Sequence, residues 1–253
     1  MGDEELLAEI AGWVRRARHA VALTGAGIST ESGIPDFRGP DGVWRKDPAA
    51  ERMSHLGPYM RDPEVRRRAW RARLDHPGWA ARPNDGHRAL AGLAARGHLH
   101  LLVTQNIDGL HQMAGFPRDR LIEIHGTMRD VVCMSCGWRA PMQAALDRVR
   151  DGEDDPPCRH CGGILKSGTI SFGQKLAAGD VARALGAASG CDVFLAIGTS
   201  LVVQPAALLP RRALQAGARL AILNSGSTPL DGRADAVVRG PLGAVLPELA
   251  RRV

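Results

Sequence analysis

Aromatic side chains are scarce in this sequence: 4% of residues, with one tyrosine and four phenylalanines. Proteins that hold single-stranded nucleic acid by stacking bases need several such platforms, so that class is disfavoured. No apolar run approaches the length of a membrane-spanning helix. The opening MGDEELLAEI has neither a basic start nor an apolar signal core, so secretion is not expected and the expected compartment is the cytoplasm. Met-Gly begins like a myristoylation site, but Leu6 stands where Ser or Thr is required. Internal repeats and low-complexity tails are lacking too.

What is present is an ordinary soluble balance, 44% apolar and 24% charged over 253 residues. That is enough for one large domain, or one domain carrying a smaller one, with a core that needs no disulfides. The net charge of +6 comes almost wholly from arginine and is concentrated only at 61–73. An acidic partner would suit it; a solvated helix face explains it more simply. Four of the five cysteines form Cys-x2-Cys-x21-Cys-x2-Cys: Cys133, Cys136, Cys158 and Cys161. Four thiolates suit tetrahedral zinc, and a closed set leaves no open position for catalysis, so one structural Zn2+ is expected. His160, inside the second pair, is a weaker ligand candidate. Cys191 opens an apolar strand and reads as core.

Residues 3–18 carry apolar positions at helical spacing. Four apolar runs then end in small or polar clusters: HAVALTGAG at 19–27, LHLLVTQN at 99–106, CDVFLAIGTS at 191–200 and ARLAILNSG at 218–226. Helix-like segments such as GHRALAGLAARG and PAALLPRRALQAG lie between them. Buried strands alternating with helices predict an α/β fold, a Rossmann-type parallel sheet with helices on both faces. Ligands of such sheets bind beyond the carboxyl ends of the strands, so GAGIS, QNIDG, GTS and NSG are expected to face one crevice. The expected division is a main domain of 1–40, 86–127 and 176–253, and a smaller inserted domain of 41–85 and 128–175. The latter would hold a helical module and a zinc module.

The stretch TGAGISTESGIPDFRG at 24–39 begins like a dinucleotide loop. Gly25 and Gly27 fit the first two glycines, but Thr30 occupies the third place and no strand follows promptly. Two glycines permit close backbone approach to a pyrophosphate. Alone they would not outweigh an ordinary strand-to-helix turn. Asp36, Phe37 and Arg38 change that balance: a closing loop would use Phe37 as a lid and Arg38 as an anion clamp.

This run, together with GVWRK at 42–46, PNDGHRAL at 83–90, TQNIDGLH at 104–111, EIHGT at 123–127, the paired cysteines, GTSLVVQPA at 198–206 and LNSGSTPLD at 223–231, resembles the sirtuins, the NAD-dependent protein lysine deacylases, in order and over nearly the whole chain. The resemblance implies a reaction in which the carbonyl oxygen of an acyl-lysine attacks the nicotinamide-bearing ribose carbon of NAD. Free lysine, nicotinamide and O-acyl-ADP-ribose result. It makes His125 the general base, a task for which imidazole has a suitable pKa. Gln105 and Asn106 order the ribose and a nearby water, Asn106 thereby serving catalysis. Ile107 and Asp108 receive the nicotinamide carboxamide, which needs a donor and an acceptor. The remaining NAD contacts fall on Gly25, Ala26, Gly27 and Ser29, on Gly198, Thr199 and Ser200, on Asn224 and Ser225 at the adenosine ribose, and on Leu242 near adenine through its backbone.

GTISFGQ at 168–174 looks like the family's peptide-binding strand, with Phe172 and Gly173 in one wall of the groove and Val202, before QPA, in the other. Gln174 replaces the usual acidic residue. Relatives that remove acidic acyl groups carry a Tyr and an Arg three residues apart on the helix near 63–75. Here Ala69 and Ala72 align with them, while Trp70 and Arg73 have the spacing one residue later. The expected acyl group is therefore acetyl or another neutral one. Competing readings are an ADP-ribosyltransferase using the same NAD pocket and, more remotely, a zinc-ribbon nucleic-acid module. The second leaves GAGIS, QNID and GTS unexplained.

Overall fold

The computed structural model describes residues 2–36 and 48–253; Phe37, Arg38 and the GVWRK run lie outside the described residues. In chain order its strands are β1 (Ala20–Thr24), β2 (Leu101–Thr104), β3 (Leu121–Glu123), β4 (Gly126–Cys133), β5 (Arg139–Pro141), β6 (Leu165–Thr169), β7 (Val193–Ile197), β8 (Arg219–Leu223) and β9 (Ala236–Val238). Six of them form a parallel sheet in the order β3-β2-β1-β7-β8-β9. The four expected strands are its centre; β3 and β9 were not expected and lie at its edges.

Alternation along the strands divides the core in two. Ala20, Ala22, Val193, Leu195 and Ile197 pack under the helices Asp3–Arg16, Asp85–Ala95 and Leu242–Arg252 through Leu7, Ile10, Leu90, Leu93, Leu246 and Leu249. Val21, Leu23, Phe194 and Ala196 face the helices Ala178–Gly190 and Leu208–Gln215 on the other side. Burial on both faces is why these strands read as unbroken apolar runs. The strand order reverses between β1 and β7, which opens a crevice at their carboxyl ends.

The remaining three strands make an antiparallel sheet, β5-β4-β6. It packs with Trp70 of the helix Pro63–Leu74 and with Met142, Leu146 and Val149. The basic run at 61–73 is not simply a solvated face: Arg66 is buried, its Nε donating to Asp155 over 2.7 Å and its Nη1 to the carbonyls of Tyr59 and Met60. Arg71 pairs with Asp154. The acidic run DGEDD thus ties the cysteine module to the basic helix. No helix among the described residues is long and apolar enough to cross a membrane.

Candidate active site and metal centre

The strands β1, β2, β3 and β7 each continue their ladder for one residue into the crevice. Gly25 N donates to Ile197 O, Gln105 N to Thr24 O, Gly198 N to Leu223 O and Ile124 N to Thr104 O. The expected clusters GAGIS, QNID and GTS are thereby brought together, with EIHGT beside them. The glycines serve this junction first. A Cβ on Gly25 would lie 2.7 Å from Gly198 O, and one on Gly27 would lie 2.8 Å from Gly198 Cα. Gly198 itself has φ +58° and would press on Ile28 N. Loop-to-loop approach, not only room for a phosphate, demands them.

Asn106 is buried and donates from Nδ2 to Gly25 O and to Ser29 Oγ, both at 3.1 Å. Ser29 in turn donates to Asp108 Oδ2 over 2.7 Å, and Leu110 N donates to Asp108 Oδ1. Gln105 Nε2 donates to Thr199 Oγ1 over 2.8 Å. Asn106, Ser29 and Asp108 form one hydrogen-bonded set and Gln105 with Thr199 a second, and together they make a polar floor from three strand ends. Arg129 Nε and Nη2 donate to Asp108 O, and its guanidinium lies over the Trp79 ring. Ile107 O accepts from Met128 N. Sequence reasoning missed Arg129; its only signal was a lone cation two residues past the EIHGT motif. Asn84, missed too, donates to Ile28 O and Ser32 Oγ and so braces the first loop.

His125 Nδ1 lies 3.0 Å from Gln105 O. A carbonyl can only accept, so Nδ1 carries the proton and Nε2 offers a bare lone pair. Burial pushes its pKa below 6.5, opposed by that backbone hydrogen bond. At neutral pH the ring is an uncharged base. Its backbone O accepts from Ile170 N, which joins the histidine to the end of β6.

The other expected contacts are spread around this floor. Ala26 and Ser200 are half-buried, Asp36 is half-buried at the last described residue of its run, and Ser225 is exposed. Asn224 turns its amide to Gly226 O, with Arg239 on its carbonyl. The Leu242 side chain is core, packed against Gly198, so only its backbone can meet a ligand. Leu201 adopts φ +55° with a buried side chain and sets Val202 outward, 50% exposed. An apolar non-glycine residue in that conformation is strained, a state found most at functional loops.

GTISFGQ is not one strand. β6 ends at Thr169, and Phe172 then makes a single bridge, its N donating to Ser54 O and its O accepting from Leu56 N. The Phe172 ring, 38% exposed, sits beside His55. Gly173 takes φ +82°, and Gln174 folds back so that its Oε1 accepts from Ser171 N. The expected substrate role of Trp70 is corrected: it is 0% exposed inside the small core and has no face for a ligand. Arg73 turns toward the small sheet, donating to Ser167 Oγ and lying over the Tyr59 and Trp70 rings.

The four cysteines converge. Their sulfurs lie within 4.8 Å of one another, with Cys133 Sγ 3.5 Å from Cys161 Sγ and Cys136 Sγ 3.8 Å from Cys158 Sγ. Four sulfurs around zinc at about 2.3 Å would stand at about this separation, so the donor set fits one Zn2+. The backbone N–H groups of Ser135 and Cys136 point at Cys133 Sγ, as suits a thiolate. His160 instead packs on Trp138.

His87 and His111 are buried, and burial pushes both pKa values below 6.5. Unfolded imidazoles would take up protons that the folded rings refuse, so this contribution is complete above 6.5 and shrinks as pH falls. Thermal melting should therefore drop between neutral and mildly acid pH, and drop less in His111→Gln. An equal drop in both proteins would contradict it.

The Sir2 family model matches residues 25–205. A curated relative from Streptomyces coelicolor, NAD-dependent protein deacetylase 2, is 51% identical over 90% of this chain and 95% of its own length. NAD-dependent protein deacetylase of Haloarcula marismortui is 42% identical over 99% of this chain and 96% of its own. A Sir2 enzyme solved in work on Sir2 mechanism and regulation superposes with TM-score 0.88 at 37% identity, covering 98% of both chains. A Sir2 complex with a p53 peptide and NAD+ gives 0.84 at 33% identity, over 97% of this chain and 95% of that one.

Proposed function

Because this chain belongs to the Sir2 family, we propose that His125 is the base, and Asn106 the ordering residue, of an NAD-dependent protein lysine deacylase whose NAD lies in the β1–β7 crevice. The enzyme is an NAD-dependent protein deacetylase that also carries one structural zinc. The observation that supports the base assignment best is the tautomer of His125: Gln105 O takes the Nδ1 proton and leaves Nε2 free to accept one. Burial keeps the ring neutral, so no proton need leave before it acts.

NAD supplies an electrophilic ribose carbon and a leaving nicotinamide. The chain supplies the rest. Ser29, Asn106 and Asp108 present a buried set of donors and acceptors suited to a carboxamide and ribose hydroxyls. His125 then receives the proton of the ribose hydroxyl that attacks the acyl carbon. The acyl-lysine peptide lies between the Phe172–Gly173 turn and Val202, both exposed beside the crevice. The main domain (1–40, 86–127, 176–253) holds NAD and the inserted segments hold the zinc and one groove wall. The cysteines are unpaired and clustered as ligands, a state kept by a reducing compartment, and we place the enzyme in the cytoplasm.

The acyl group is neutral in this reading. Trp70 is buried, Arg73 turns toward the small sheet with its Nη2 on Ser167, and the aligned positions hold Ala69 and Ala72, so no acidic-acyl pair is assembled. Peptides bearing acetyl-lysine should be turned over at least about tenfold faster, by kcat/KM, than succinyl-lysine ones, since an unpaired carboxylate must be desolvated. A large succinyl preference defeats this. In the same assays, label from adenine-labelled NAD should appear in acyl-ADP-ribose; label fixed on protein would favour ADP-ribosyl transfer.

A further inference from the structure

Beneath the crevice lies a pair of histidines that this chemistry does not use. His87 stands in the first turn of the helix Asp85–Ala95, and His111 in the short helix Leu110–Met113 that follows QNIDG. They are 0% and 1% exposed, with ring centroids 4.9 Å apart. Each engages one ring nitrogen. The other two, His87 Nε2 and His111 Nδ1, are buried without a partner among the described residues.

Proton accounting fixes both tautomers. Thr24 Oγ1 gives its single proton to Thr104 Oγ1 over 2.9 Å, so His111 Nε2, 3.0 Å away, must donate to it. His111 Nδ1 is then a bare acceptor. His87 Nδ1 lies 3.0 Å from Asn84 Oδ1, an amide oxygen that can only accept, so Nδ1 carries the His87 proton and Nε2 is a bare acceptor. The same Oδ1 uses its other lone pair to accept from His87 N. His87 Nε2 and His111 Nδ1 are thus two bare acceptors, which a single water donating both of its protons would join.

The resulting string runs on from Thr104, whose Oγ1 accepts from Asn106 N over 3.1 Å. On the His87 side, Asn84 Nδ2 donates to Ile28 O over 2.7 Å and to Ser32 Oγ over 3.0 Å. Two buried strings of hydrogen bonds, their histidine rings 4.9 Å apart, therefore brace the GAGIS loop and the QNID loop.

We propose that His111, donating from Nε2 to Thr24 Oγ1, is a positioning residue that aims Asn106 through Thr24 and Thr104. The inference rests on the reading that Asn106 serves the nucleotide. Its test combines nitrogen-resolved NMR of the imidazoles with NAD kinetics of His111→Gln and His111→Phe. Both buried rings should be neutral, His111 as its Nε2–H tautomer, through the range where a free imidazole titrates. Gln keeps a donor at the Nε2 place and should hold kcat/KM for NAD within about threefold of the unaltered enzyme. Phe removes the donor to Thr24 Oγ1 and should lose roughly tenfold to a hundredfold, with zinc content unchanged. An Nδ1–H tautomer at His111, or equal rates in the Gln and Phe variants, overturns the positioning role. If the unaltered chain releases no nicotinamide with any acyl-lysine peptide, the deacylase reading falls and takes this one with it.

Discussion

His125→Ala should lose about 10²- to 10⁴-fold in acyl-lysine deacylation, the usual contribution of a general base, while its affinity for NAD changes little. Among the described residues the His125 side chain makes one hydrogen bond, to Gln105 O, and its backbone tie to Ile170 survives the substitution. The expected defect is therefore in chemistry, not folding. It should lower kcat and kcat/KM together, the signature of an interaction needed only in the transition state. The pH profile gives an independent reading. Burial lowers the pKa of this ring, and a base works only when unprotonated, so the acid limb of kcat/KM should lie below 6.5. Normal turnover in the alanine variant, or an acid limb set above that value, removes His125 from the role.

Cys133→Ser is the second large effect. Cys133 is 1% exposed, lies in the small core with Trp70, Val131 and Leu146, and ends β4, the strand that starts one residue after His125. Structural zinc binding supplies about 10–16 kcal/mol in small domains that need it to fold. Losing one of four thiolates should release the ion, melt the antiparallel sheet and loosen the His125 end of β4. NAD affinity should survive better than turnover, because the six-stranded sheet has its own two-sided core. Metal analysis and melting curves read this directly. A variant that keeps one zinc per chain and its melting temperature would show that the ligand set is wrong.

The central sheet was legible because its strands are buried on both faces, and such strands write themselves as continuous apolar runs. β3 and β9 were not: each is three residues long, LIE and AVV, and at a sheet edge too few positions are constrained to leave a pattern. The crevice was legible from strand ends, and the cysteine spacing carried the metal site. What failed was anything set by packing across the chain. Trp70 and Arg73 have a suggestive spacing, yet one face of that helix is spent on the cysteine module. The glycines read as phosphate room also make the contact between two loops, which the sequence pattern did not reveal. Nothing in PNDGH or DGLH says that the rings of His87 and His111 meet.

The most direct test incubates zinc-loaded protein with NAD, with and without an acetyl-lysine peptide, and weighs every product by mass spectrometry. Nicotinamide, free lysine peptide and O-acetyl-ADP-ribose should appear in equal amounts, and only when the peptide is present. Nicotinamide released at the same rate without the peptide, or no release at all, would contradict the account.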